Sequence, residues 1–125
     1  MKVPLEVIGK RWAVPCDPPR TFDCWELVIY VRRFHGLHTP SVVDRADRMP
    51  SSRRHIDKPP TGWVKLDEPK QLCVARFSSA HVGVFLGGDN VIHCELAMGV
   101  RIDRMRFLPE LTFWEFEHGS DNQSH

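Results

Sequence analysis

Between positions 23 and 35 the apolar residues Cys24, Leu27, Val28, Val31 and Phe34 recur at helical spacing and share one face. Asp23, followed three positions later by Glu26, reads as a capping box, with Thr21 as a competing cap. Gly36 stands where a glycine commonly closes a helix. The spacing predicts a helix over 23–35, about 20 Å long, with Cys24 in its first turn. Before it, Pro4, Gly9, Pro15, Pro18 and Pro19 interrupt any long element and leave room for a helical turn or two around 4–9. Residues 39–62 are polar and proline-rich and predict loop, with one short helix at 41–48.

After Trp63 the period changes. Short apolar runs at 72–77, 81–86, 91–96, 100–108 and 112–116 predict strands, and Gly87-Gly88-Asp89-Asn90 predicts a hairpin between the second and third. One helix followed by consecutive strands predicts an α+β fold, with the helix packed on a mostly antiparallel sheet. The organisation expected is a single domain over 1–117 and a frayed tail over 118–125.

Composition changes the picture by exclusion. The 125 residues carry 17 Lys and Arg against 16 Asp and Glu, a net charge of +1, which gives no case for a nucleic-acid binder steered by bulk charge. No apolar run approaches the roughly 20 residues needed to span a bilayer. The first residues lack the apolar stretch of a secretory signal, so synthesis in the cytoplasm is expected. The four cysteines, at 16, 24, 73 and 94, include no Cys-x-x-Cys pair, and neither a metal nor a cofactor is called for.

The candidate chemistry lies in three positions. A thiol at a helix start meets unsatisfied N–H groups and the positive end of the dipole, which favour thiolate. Cys24 has that position, while His81 begins one predicted strand and His93 lies on the next. A cysteine nucleophile needs a histidine to move its proton and a third group to orient that histidine. The same residues also fit a plainer reading, a core cysteine with two structural histidines. Strand parity sets a condition between the two. A plain two-residue turn at Gly88-Asp89 would put the rings on opposite faces, whereas an odd loop or a bulge would bring them together. Cys94, beside His93, should point away from any such site.

These segments resemble the NlpC-type (NlpC/p60) cell-wall cysteine peptidases. Phe22-Asp23-Cys24-Trp25-Glu26-Leu27-Val28 is similar to that family's nucleophile motif, Asp-Cys-Ser-Gly-Leu-Val. His81-Val82-Gly83-Val84-Phe85-Leu86-Gly87 is similar to its His-Val-Gly-Ile-Tyr-Leu-Gly, and His93 falls at its third, orienting position. Ile8-Gly9-Lys10-Arg11-Trp12 resembles the variant found in members associated with phage tails. The resemblance implies a reduced papain-like fold with Cys24 as nucleophile, His81 as base and then acid, and His93 as orienting residue. It implies substrate contacts at Trp12, Asp23 and Trp25, and no cofactor. The implied substrate is the peptide of peptidoglycan, cut at an amide between a D-glutamyl carboxyl and a diamino acid. Phage tail proteins are the implied partners, and a phage particle the implied destination. Trp25-Glu26 replaces the family's Ser-Gly, and the Gly-Asp expected before the histidine strand is absent. Those departures keep a second reading open, a non-catalytic assembly or binding module on the same fold. A third reading is a cysteine acyltransferase or deamidase.

Overall fold

In the computed structural model, residues 4–39, 62–77 and 81–116 are described. A 3-10 turn at Leu5–Val7 leads to two short strands, β1 (Arg11–Trp12) and β2 (Thr21–Phe22), and then to helix α1 (Cys24–Phe34). The remaining strands are β3 (Trp63–Leu66), β4 (Val74–Phe77), β5 (Val82–Gly87), β6 (Asn90–Glu95), β7 (Gly99–Arg104) and β8 (Leu111–Phe116). β1 and β2 form a parallel pair; the other strands form one sheet in the order β3-β8-β4-β5-β6-β7, antiparallel at every pairing. Among the described residues the architecture is α+β, one α-helix on a mainly antiparallel sheet, as the residue pattern predicts. The short helix expected at 41–48 and the tail expected at 118–125 lie outside the described residues.

Helix α1 begins and ends where its capping chemistry dictates. The Asp23 carboxylate accepts a hydrogen bond from the Glu26 N–H at 2.7 Å, which satisfies one orphan donor of the first turn. Thr21, the competing cap, instead belongs to β2. At the other end Gly36 takes a positive φ of 81°. Its N–H donates to Arg33 O and that of Leu37 donates to Arg32 O, a Schellman closure. The buried stripe consists of Trp25, Leu27, Val28, Ile29, Val31 and Arg32, whereas Phe34, expected on the apolar face, is 51% exposed.

The sheet has two differently employed faces. Val82, Val84, Leu86, Ile92 and Cys94 pack with Leu27, Val28 and Val31 of the helix in the main core. Alternation turns Phe85 and Val91 to the other face, where they join Cys73, Ala75 and Phe77 in a second, smaller core. Three strand boundaries differ from the pattern. β3 escapes the pattern of apolar runs because it is four residues long with two of them exposed; it is held by pairing with β8. Leu72 leaves the strand with a positive φ of 73°, and the buried Arg32 guanidinium donates to its carbonyl. The run at 100–108 breaks after Arg104. There the Met105 N–H donates to Asp89 O, and Arg106 pairs with the Asp89 carboxylate, each at 2.6 Å.

The hairpin meets the parity condition. Gly87 faces Asn90 across the two-residue turn Gly88-Asp89; the register then shifts at Leu86, so that Phe85 faces Val91 and Gly83 faces His93. One bulged residue therefore reverses the parity that a plain turn would impose, and His81 and His93 share a face.

Candidate active site

Cys24 is the first residue of α1, and its neighbours are set by the cap before it. Its sulfur rests against the N–H of Val82, on the peptide that joins His81 to β5, and against the N–H groups of Trp25 and Cys24 itself. The helix start and the first peptide of β5 are thus brought together, although Cys24 and His81 are 57 positions apart in the chain. Among the described residues no hydrogen bond joins the sulfur to His81.

The two histidines are joined directly. His81 Nε2 and His93 Nδ1 lie 3.0 Å apart, as diagonal neighbours on one face of β5 and β6. Gly83 makes the approach possible. A Cβ there would stand 2.6 Å from Ile92 O and 2.9 Å from His93 Cβ, so only glycine leaves room for the His93 side chain to lie across β5. Phe77 of β4 packs on both imidazoles, with ring centroids 4.7 Å from His81 and 5.2 Å from His93. The chain of contacts then continues to β7, where Asp103 Oδ2 lies 2.8 Å from His93 Nε2 and 2.9 Å from Arg101 Nε.

Asp103 was not among the residues singled out from sequence. A signal for it existed: with β6 and β7 paired so that His93 faces Arg101, alternation turns Asp103 to the same face as His93. Reading it required the β6–β7 register, which no turn motif in the intervening Leu96-Ala97-Met98 announces.

The electrostatics correct one expectation. Burial pushes the Cys24 thiol up to about 11; the N–H of Val82 opposes this and the nearby Asp23 carboxylate reinforces it. The helix start does present its N–H groups to sulfur, but removal from water outweighs them, so the resting cysteine is a thiol and not a preformed thiolate. Burial, with a contribution from His93, lowers His81 to about 4, which leaves it neutral. Partial burial favours the protonated form of Asp103. The hydrogen bond from His93 and the ion pair with Arg101 outweigh it and hold the carboxyl below its ordinary value.

The other candidates fall around this cluster in different ways. Trp12, half-buried on β1, pairs with Phe22 at the approach to Cys24 and packs on the main core. Asp23 is buried and serves as the cap. Trp25 is 1% exposed and packs edge-on against Trp63, so its surface is taken up by the core and not by a cleft wall. Cys94 turns away from the histidines, as alternation predicts, and its thiol donates to Phe22 O at 3.5 Å. Ile8-Gly9-Lys10 has a structural task, since Gly9 N–H donates to Val100 O and Lys10 O accepts from Val100 N–H, which docks the segment on β7. A groove of about 410 Å³ opens along α1 between Tyr30, Arg33 and Phe34, but it includes none of the cluster's residues.

No family model matches the chain, and no curated protein matches it. Among solved structures, the fold is similar to the NlpC/p60 domain of the peptidoglycan hydrolase SagA. The TM-score is 0.55 at 19% sequence identity, over 87% of this chain and 90% of that one. The likeness establishes the fold class, an NlpC-like reduced papain fold.

Proposed function

We propose that this protein is a thiol hydrolase that cuts an amide bond in peptidoglycan peptides. The observation that carries the reading is the placement of the Cys24 sulfur against the Val82 N–H, one residue from His81, which begins a histidine pair that ends on a carboxylate. The similarity to a domain of a peptidoglycan hydrolase supports the substrate class. His81, neutral and half-buried, takes the thiol proton as Cys24 Sγ attacks the amide carbonyl. The backbone N–H of Cys24 donates to the oxyanion, a contact whose loss typically costs about 2.7–4 kcal/mol. The C–N bond breaks as His81 returns the proton to the leaving amine, giving a thioester. Water, activated by His81, hydrolyses it and restores the thiol. His93 orients His81, Trp12 and Asp23 border the acyl group, and Trp25 acts from beneath by holding the helix start.

The bond between a D-glutamyl carboxyl and a diamino acid is the specific substrate we assign, with delivery on a phage tail. Purified peptidoglycan is to be digested with wild type and with Cys24→Ala, and the released peptides identified by mass spectrometry. New free amino termini on the diamino acid, lost in the variant, are expected; equal product from both proteins would overturn the assignment. Co-purification of the chain with phage tail proteins tests the delivery. A second reading, a binding module that keeps the fold, is favoured by the buried, protonated thiol and by Trp25-Glu26 in place of two small residues. It predicts peptidoglycan binding without turnover.

A further inference from the structure

We propose that Asp103 is a positioning residue that sets the tautomers of both histidines, so that His81 presents a bare Nδ1 to the Cys24 proton. This rests on the hydrolase reading and adds to it a fourth residue, on a third strand. An ionised carboxylate can only accept hydrogen bonds, so the proton between Asp103 Oδ2 and His93 Nε2, 2.8 Å apart, belongs to the imidazole. With its proton on Nε2, His93 has a lone pair on Nδ1. The 3.0 Å contact to His81 Nε2 must then be filled by a proton from His81. That leaves Nδ1 of His81 as its only basic nitrogen. Three side chains, at the start of β5, on β6 and on β7, thus pass one decision from carboxylate to nucleophile.

The surroundings keep the decision one-sided. Arg101 Nε lies 2.9 Å from the same carboxylate oxygen and holds Asp103 ionised. From β4 the ring of Phe77, which offers no competing hydrogen bond, packs on both imidazoles. His93 is 2% exposed, so water has little access to its nitrogens. Without the carboxylate, His93 could hold its proton on Nδ1, and His81 would then turn a lone pair toward His93 and an N–H toward the thiol. That is the wrong tautomer for a base.

The test uses protein labelled with ¹⁵N at histidine, with ring nitrogens assigned by long-range ¹H–¹⁵N correlation at neutral pH. Wild type is expected to show both His81 and His93 protonated on Nε2. Asp103→Asn, whose amide can donate as well as accept, is expected to give mixed tautomers at His93 and His81. It should lower kcat for peptide cleavage roughly 10–100-fold, the range typical when the outer partner of a metal-ligating histidine is removed, with little change in KM. A wild-type His93 protonated on Nδ1 overturns the proposal, as does an Asp103→Asn protein with unchanged tautomers and kcat. The wild-type spectrum is decisive by itself if the variant does not fold. Failure of wild type to cut peptidoglycan removes the hydrolase reading, while the ring spectra still decide the role of Asp103.

Discussion

Two buried polar networks flank the sheet, and they differ in one respect. At the end of α1, Arg32 is 1% exposed and distributes its guanidinium among Thr39 Oγ1, Leu72 O and Glu115 Oε2, so each of its three nitrogens has an acceptor. At the start of β5, His81 is bonded through Nε2 alone, and among the described residues its Nδ1 has no partner. A network saturated at every nitrogen ties elements together and, built on a guanidinium, has no basic atom to offer a substrate. A network with one open end, beside a thiol, has a proton acceptor to offer. The first ties the helix end to the sheet through Leu72 and β8; the second reads as machinery.

The largest way to break that contrast is at the open network. Cys24→Ala should lower peptide cleavage by about 10⁴-fold or more, since loss of the nucleophile removes the covalent route altogether. Its melting temperature should stay near that of wild type, measured by circular dichroism. If the cysteine were only a core residue, the order would reverse, with stability moving and activity following the folded fraction.

Arg32→Ala probes the saturated side. It strands the Glu115 carboxylate, the Leu72 carbonyl and Thr39 at once, and breaking a buried pair by removing one partner costs about 3–5 kcal/mol. Chemical denaturation should show that loss, while kcat per folded molecule stays unchanged. Gly83→Ala lies between the two. Its Cβ would meet Ile92 O and His93 Cβ, and overpacking of this kind costs about 1–3 kcal/mol. Because the strain falls on the strand that carries His93, activity should drop further than stability alone explains.

The smallest effects are those of pH. His81 sits at about 4 in the folded protein against an ordinary 6.5, so between those values the unfolded chain binds more protons than the folded one. Stability should therefore be full above about 6.5 and decline as pH falls toward 4. His81→Gln should flatten that slope in melting temperatures taken across the window, whereas Arg32→Ala should leave it in place. Cys24, pushed up to about 11 by burial, should react slowly with iodoacetamide near pH 6 and faster as pH rises. Rapid labelling near pH 6 would restore the preformed thiolate that a helix-start cysteine suggests from sequence.

Local chemistry could be read from the chain alone. The cap at Asp23, the closure at Gly36, the position of Cys24 in the first turn, the strand character after Trp63 and the α+β class follow from short-range rules of spacing and turn residues. His81 and His93 could be named as candidates because each falls on a strand start or interior with a turn between. What sequence could state only as a condition was whether their rings meet, because parity depends on a bulge, and two glycines permit a bulge without requiring one. The bulge at Leu86 answered that question. Long-range registry decided the rest. Asp103 joins the histidines through the β6–β7 pairing, and Trp25 goes to the core because Trp63, far along the chain, packs against it. Burial, which is a property of the whole fold, set the protonation of Cys24 against the preference of its own helix. Spacing along a chain determines what a residue can be, but removal from water and the partner across the sheet determine what it is.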